Sequence, residues 1–524
     1  MGKWIKGLIL VVFVLSVLVG RMIETRTETP GVEDYWNSSG LSESNLFEFV
    51  ENSYCHSSER YFLACANSIQ QVASRHGYSY LPNLGLQKLP ESLSSDVTEV
   101  ELLKPWNRYY SDIQAKLQSP VDFQKLWKIT SERFSTPQKS GLLLGTALNG
   151  FLSVFRDPHT YLIPLDYYKQ VIASPEHKTS SYGLYISKLG NQFYVKKVVL
   201  GSPAQKMGLS KGDRILSFQG QSLKSKTLIE ALEYLRSAKI QTLDVVSQNR
   251  TGQIKKLKLF KSNRALSTVH VEVLPLESPT ALLTIDRFAR KTCDKVRSEL
   301  SQLRLMKIEN LILDLRDNPG GQMDETGCVA GLFTGPHRRI FSVRYQDRKI
   351  KPESYFSDED KLFAGKMVIL INRGTASAAE ILAGSLREYN RALLVGERSF
   401  GKGSFQEGDL WKQNLKLALF ETKGFYYLPS GFSPQKVGLE PDVLVRSLGA
   451  DKSQVPLFGS REEDQYWLAL EPQSRAQMRR TNSGLNIEAC LGNNSTLSMI
   501  EDPDLKQAQE ALKCWGTAQL TGGL

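Results

Sequence analysis

The sequence predicts a multidomain protein of α+β and α/β class. A helical N-terminal region comes first, a small β domain follows, and an α/β core of mixed sheet with flanking helices comes after it. Three observations predict this. The chain has 524 residues, too many for one compact core and enough for about two to four domains. Its composition, 41% apolar and 23% charged, is that of an ordinary globular protein, and no long biased segment points to disorder. The hydrophobic period changes twice along the chain, from helical to strand-like and then to an alternation of the two.

Residues 1–30 open with "MGKWIKGLILVVFVLSVLVGR", where Lys3 and Lys6 precede an apolar run from Gly7 to Gly20. That is the pattern of an export signal. The run is short for a membrane span, and no small-x-small cleavage site follows it. The segment therefore reads as a signal peptide or an uncleaved anchor (residues 7–20) in the inner membrane, with the rest of the chain periplasmic or otherwise extracytoplasmic. Residues 31–166 carry helical periodicity in "VDFQKLWKITSERF" and "GLLLGTALNGFLSVF" and end at "RDPHTYLIP". Residues 167–264 switch to short strands punctuated by Gly, with one helix-like stretch, "TLIEALEYLRSA". From 265 to 450, β-rich apolar runs such as "NLILDLR", "KMVILIN" and "RALLVGE" alternate with helical stretches, which argues for layering around several parallel strands. Residues 451–524 are more polar and are expected to form a helical C-terminal extension of lower order.

Charge and cysteine narrow the function classes. The balance of 66 basic against 55 acidic residues leaves +11, dispersed along the chain, which amounts to weak attraction to anionic surfaces. There is no basic stripe and no aromatic-basic module, so nucleic acid is not an expected partner. Export places the six cysteines where disulfides persist. Cys55 and Cys65 share one small region and Cys490 and Cys514 flank another, so local bridges 55 to 65 and 490 to 514 are expected. Cys293 and Cys328 fall inside apolar segments and read as buried thiols. No CxxC or His-rich spacing supports zinc, and no metal or cofactor is expected.

The stretch "GTASAAEILAGSLREYNRALLVGERSFGKGSFQ", residues 374–406, carries the chemistry. "KMVILINRG" reads as a buried strand and "ASAAEILAGSLREY" as a helix with apolar residues at 378, 381, 382, 386 and 389, so Ser377 sits at a strand-to-helix turn. Ser377 and Glu380 spell an S-x-x-E capping box, which would account for both residues structurally. The same turn presents a hydroxyl at a helix N-terminus, where free N–H groups can stabilise a developing oxyanion. A nucleophilic serine needs a base, and of the six histidines only His159, in "DPHT", lies in a motif-like setting. A lysine serves instead if burial lowers its pKa from about 10.4 toward 7 to 8. Lys402 follows an apolar strand between two glycines and fits that role, although an exposed lysine fits the same pattern. Gly396 to Lys402 also matches the first seven positions of a phosphate-binding loop. Its eighth position is Gly403, where Ser or Thr should hold magnesium, and the segment after it reads as strands, which argues against nucleotide binding.

Several motifs occur in order: "DPHTYL" at 157–162, "LILDLRDNPGG" at 311–321, "GTASAAEILAGSL" at 374–386, "LLVGERSFGKGSFQ" at 393–406 and "LPSGFSPQKVGLEPDV" at 428–443. Together they resemble the C-terminal processing, or tail-specific, serine peptidases over roughly residues 100–445. The resemblance implies an exported endopeptidase with a Ser-Lys dyad, Ser377 as nucleophile and Lys402 as general base, and Gln406 orienting the lysine. It also implies an oxyanion hole made by the backbone N–H groups of Gly320 and Ala378. Glu388 stands where relatives often carry Asp, and Thr375 where Ser is common; no catalytic role is assigned to Glu388. "SYGLYISKLGNQFYVKKVVLGSPAQKMGLSKGDRILSFQGQSL" resembles a PDZ domain of the kind inserted in these peptidases. Such domains add a peptide as a strand and hold its terminal carboxylate in a backbone nest. The resemblance places that loop at Ser181, Tyr182, Gly183 and Leu184, with "GLYI" as the edge strand and 227–236 as the opposite wall. Protein or peptide substrates bound through their C-termini are the implied partners, and a regulatory partner or homo-oligomer is compatible with it. The alternative is a catalytically silent PDZ scaffold that binds protein tails.

Overall fold

The structure, a computed structural model, describes residues 32–50, 59–75, 78–81, 85–88, 123–134, 140–169, 182–189, 191–224, 226, 231–232, 234–235, 240–249, 251–262, 267–445, 461–462, 470–472, 476 and 502–519. The N-terminal apolar run, Cys55, Ser181 and Cys490 lie outside the described residues. Among the described residues no helix is long and apolar enough to cross a membrane.

In the N-terminal region, helices α1 (Glu59–Arg75) and α2 (Ser140–Phe155) pack together. Their apolar stripes bury Ile69, Leu148 and Phe151 with Trp36 and Trp127. The "DPHT" turn ends α2 and starts strand β1 (Tyr161–Pro164), which pairs antiparallel with residues 417–420. One core cluster therefore holds α2 residues beside Trp411 and Leu417. The region is stitched to the rest of the molecule through the turn that carries His159.

The β domain contains β2 (Leu184–Leu189), β3 (Gln192–Val198), β4 (Arg214–Phe218), β5 (Thr242–Gln248) and β6 (Ile254–Phe260), hydrogen-bonded in that order. Alternate residues of β3 and β5, among them Phe193, Val195, Leu243 and Val245, point into its core, as period-2 burial requires. β2 lies at the end of the sheet, so the expected edge strand is an edge. Residues 231, 232, 234 and 235 are helical; the remainder of the expected 227–236 wall is outside the described residues.

The core runs β7 (Val269–Leu274), β8 (Thr280–Ile285), α3 (Thr292–Leu305), β9 (Asn310–Asp314), α4 (Met323–Thr334), β10 (Arg339–Tyr345), β11 (Glu353–Phe356), β12 (Lys366–Ile371), α5 (Ala378–Glu388), β13 (Leu393–Gly396), β14 (Ser404–Leu410), β15 (Leu417–Tyr427), β16 (Val443–Leu444) and α6 (Pro503–Gln519). The main sheet has the order β7-β8-β9-β12-β13-β16, with every pairing parallel except β7 to β8. A second, antiparallel sheet has the order β11-β10-β15-β14, with β1 alongside β15.

Parallel strands are buried on both faces, and the alternation shows by what. Leu311, Leu313, Met367 and Ile369 face the cluster built by α3, α4 and α5. Their neighbours Ile312, Val368 and Leu370 face Ala508, Ala511 and Leu512 of α6. Each such aliphatic side chain contributes about 1.5–3 kcal/mol of burial. The last described part of the C-terminal extension is helical, as expected, and α6 packs on β9, β12 and β13 of the core sheet. The end of β9 is fastened to it, because Arg316 is bonded to Asp314 and also to Asp502 and Asp504 at the start of α6.

Cys293 and Cys328 correct an expectation. They are joined in a disulfide with Cα atoms 5.9 Å apart, because parallel packing brings the first turn of α3 against α4. Cys65 and Cys514 are also disulfide-bonded, and the partners expected for them lie outside the described residues. Among the described residues, the one group of side chains close enough to share a metal is Cys293, Cys328 and Glu359, and its sulfurs are taken up by the bridge.

Candidate active site

β9, β12 and β13 are neighbours in the sheet, and a site loop leaves the C-terminal end of each: "RDNPGG", "NRGTAS" and "ERSFGKG". Crevices at the carboxyl ends of parallel strands are where such sheets bind ligands. The first two loops are locked together by short bonds. Thr375 Oγ1 donates to Leu315 O (2.8 Å) and accepts from Asn372 N (3.0 Å), so the hydroxyl expected at this position from its usual Ser is retained and used. Ala376 N donates to Asn318 O at 2.9 Å.

Ser377 takes φ 55 and ψ −121, a backbone conformation that costs a non-glycine residue about 1–3 kcal/mol. A sharp strand-to-helix turn of this kind holds a serine side chain out at a helix N-terminus. The turn is possible because Gly320 is packed under it at φ +95: a Cβ there would lie 2.8 Å from Ala376 O, Ala378 N and Ser377 Cβ. Gly321 is equally confined, since its Cβ would sit 2.0 Å from Phe288 O.

The expected capping box at Ser377 and Glu380 is formed, yet Glu380 does more than cap. Its side chain is fully buried. Oε2 accepts from Ser377 N (2.9 Å) and Lys402 N (2.9 Å), and Oε1 accepts from Gly401 N (2.8 Å) and the Ser399 hydroxyl. One carboxylate thus binds the backbone of both segments. Burial pushes the Glu380 carboxyl up to about 7, against the pull of those four donors. Sequence spacing signalled only the cap.

Lys402 keeps partial access to solvent, but burial lowers the pKa of its amine, opposed by the charges of Glu462, Asp157 and Glu380. Nζ donates to Gln406 Oε1 at 2.7 Å. Gln406 is held in that orientation because Nε2 donates to Ser404 Oγ (3.2 Å) and Thr422 Oγ1 (3.1 Å). Thr422 in turn donates to Asp157 Oδ1 at 2.8 Å. Lys402 and Gln406 are therefore together as expected. No hydrogen bond joins the Ser377 hydroxyl directly to the Lys402 amine among the described contacts; Glu380 and Tyr426, whose hydroxyl donates to Ser377 O at 3.2 Å, bring the two segments into one site.

Of the two expected oxyanion donors, Ala378 N–H opens α5 and so has no acceptor inside the helix. Gly320 N–H donates to Asn318 Oδ1 at 2.8 Å and is engaged in this state. Two further contacts escaped sequence reasoning. His159 Nε2 meets Glu462 at 2.9 Å, a partner about three hundred positions away that no spacing reveals. Asp317, beside the glycines, meets Lys211 of the β domain at 3.3 Å. Burial pushes the Asp317 carboxyl up, but Lys211, Lys196 and Lys197 outweigh that and hold it below the usual carboxylate range. Glu388 accepts from Ser430 N and Oγ (2.7 and 2.6 Å), a structural tie.

In the β domain, Tyr182 is buried with its hydroxyl on Ile240 O (2.6 Å), and Leu184 is buried beside it. Gly183 has φ +71. The carbonyls of Tyr182 and Gly183 accept from Ala204 N and Val199 N, both at 2.9 Å.

Residues 279–445 match the Peptidase family S41, and residues 194–244 match a PDZ domain. The chain is 29% identical over 375 residues to a carboxyl-terminal-processing protease of Picosynechococcus sp., covering 71% of this chain and 88% of the relative. It is 30% identical over 310 residues to a carboxy-terminal-processing protease of Bartonella bacilliformis, covering 58% of this chain and 69% of the relative. Among solved structures it is similar to a photosystem II D1 C-terminal processing protease, at 23% identity and a TM-score of 0.43, over 67% of this chain and 94% of the other. The chain belongs to peptidase family S41, as a PDZ-containing serine peptidase of the carboxyl-terminal-processing kind.

Proposed function

We propose that the protein cleaves exported or envelope proteins near their C-terminal tails, with Ser377 as nucleophile and Lys402 as general base. The observation that supports this best is the buried Glu380 carboxylate, which holds the N–H groups of Ser377 and Lys402 on a single oxygen. Burial favours the neutral amine of Lys402, and only that form can take the serine proton. Ser377 Oγ attacks the scissile carbonyl while Nζ accepts its proton, and Gln406 fixes the direction of the amine. The oxyanion is received by Ala378 N–H, and by Gly320 N–H once substrate displaces its bond to Asn318 Oδ1. The ammonium then protonates the leaving amine, and a water activated by the same lysine hydrolyses the acyl-enzyme.

Residues 167–264 form the tail-reading domain, 31–166 the helical region, 265–450 the peptidase core and 451–524 an extension. The edge strand β2 receives the tail, and the backbone of Ser181–Leu184 receives its carboxylate. Export and retention at a membrane rest on residues 1–30, and the Cys293–Cys328 bridge supports an oxidising compartment.

The test is digestion of an unstructured protein by the wild type, Ser377→Ala and Lys402→Ala. Each variant should stay folded and lose at least ~100-fold in rate. Wild-type activity should rise with pH as the amine deprotonates. More than about a tenth of activity retained by Lys402→Ala would remove the lysine-base assignment, and an inactive wild type would favour a silent scaffold.

A further inference from the structure

We propose that Glu462, supplied from the C-terminal extension, is the counter-charge and positioning residue of the Lys402 base. The inference rests on the Ser377–Lys402 reading above. The Glu462 side chain is 0% exposed. Oε1 accepts from His159 Nε2 (2.9 Å) and Gln435 Nε2 (3.2 Å), and Oε2 lies 3.0 Å from the same imidazole nitrogen. Its own N–H donates to Phe400 O at 3.0 Å, two positions before Lys402. On the other flank of the lysine, Gln435 Oε1 accepts from Gly403 N (2.7 Å) and Ser404 N (3.1 Å). Glu462 and Gln435 therefore clamp the base-carrying loop from both sides.

The charge balance gives the carboxylate its second role. Among the described residues, the charged groups acting on Lys402 are Glu462 itself, Asp157 from the turn before β1 and Glu380 from α5; Tyr426 of β15 lies near Glu380 and Glu462. His159, on the far side of Glu462, is cationic only when protonated. A fully buried carboxylate is a costly ground state unless cations stand near it. When Lys402 takes the serine proton, this carboxylate gains a nearby cation, so the attraction strengthens as the reaction proceeds, which is what raises kcat. Asp serves the imidazolium of a Ser-His-Asp triad in the same sense.

The experiment compares the full chain as wild type, Glu462→Gln, Glu462→Asp and Lys402→Ala on an unstructured casein, with circular dichroism as the folding control. Glu462→Gln keeps the shape and loses the charge. Its plateau kcat should fall about tenfold with KM within about twofold. Its acid limb should move to lower pH, because the ammonium loses a favourable neighbour, giving at least about threefold more activity there relative to its own plateau. A purely structural role lowers the amount of active enzyme and leaves the limb in place, and that result, or wild-type kcat, would overturn the proposal. Glu462→Asp keeps the charge at shorter reach and should retain the wild-type limb with kcat reduced at least about threefold. If the Gln variant does not fold, wild-type kcat in Glu462→Asp overturns the proposal instead. Activity surviving in Lys402→Ala would show failure of the dyad itself; an inactive Lys402→Ala beside an unshifted Glu462→Gln would show failure of this inference alone.

Discussion

Glu380→Gln separates the charge of the central carboxylate from its shape, and the structure sets the size of the effect. The carboxyl sits at about 7 in the folded protein against 4.5 in the unfolded chain, chiefly through burial. The folded state therefore keeps a proton that the unfolded chain releases across that window, and stability falls as pH rises from about 4.5 through about 7. A difference of 7 − 4.5 = 2.5, at 1.36 kcal/mol each, makes the loss roughly 3 kcal/mol. Glutamine does not titrate and lacks this loss, but one of its two positions is a donor. The least costly orientation keeps the acceptor on Ser377 N and Lys402 N and leaves Gly401 N–H without one, at about 1–3 kcal/mol. In a Ser377→Ala background, which prevents self-digestion, urea unfolding should find the glutamine variant about 1–3 kcal/mol less stable at pH 5. By pH 8 it should be as stable as the glutamate form or more so, the gap having shifted by roughly 3 kcal/mol. An identical gap at both pH values would refute the buried-charge argument. In the active background the variant should lose about tenfold or more in kcat at either pH, because Gly401 no longer anchors the lysine loop.

Gly320→Ala should leave the protein folded and remove proteolysis by at least ~100-fold, since the new methyl meets the serine turn at 2.8 Å in a φ +95 conformation; measurable wild-type rates would argue that this backbone does not border the oxyanion. Cys328→Ser should lower core stability by about 2–4 kcal/mol in denaturant titration, with no effect of a dithiol on the variant. Calorimetry with the full-length Ser377→Ala protein should show that amidating the C-terminus of an apolar-tailed peptide weakens binding by about 1.5–3 kcal/mol, the worth of a charge-assisted hydrogen bond. Equal affinity for acid and amide would reject tail reading by β2 and its loop.

What the sequence made legible was local. Ser377, Lys402 and Gln406 stand at short spacings on elements whose periodicity is strong, and the strand and helix on either side of Ser377 follow from apolar pattern alone. The cap at Glu380 was legible for the same reason, but its bonds to Gly401 and Lys402 were not, because they depend on β13 lying beside β12. The His159–Glu462 and Arg316–Asp502 contacts were invisible in a polar segment whose partners there lie 303 and 186 positions away. Cys293 and Cys328 looked like core thiols since apolar surroundings say nothing about pairing. The engagement of Gly320 N–H by Asn318 is a matter of one side-chain rotamer, which no pattern encodes.

The adjacency of β9, β12 and β13 makes the sheet a ruler for the chemistry. Neighbouring strands stand about 4.8 Å apart whatever their side chains, so the origins of the three site loops are set by backbone hydrogen bonds and not by the loops. Lengthening a loop away from its root should then change substrate preference while leaving the reach between nucleophile and base intact. A core substitution such as Ile369→Ala should do the opposite, costing about 2–5 kcal/mol with little change in the selectivity of the molecules that remain folded. Heat should abolish catalysis only where the sheet itself melts, so inactivation and unfolding should trace the same curve.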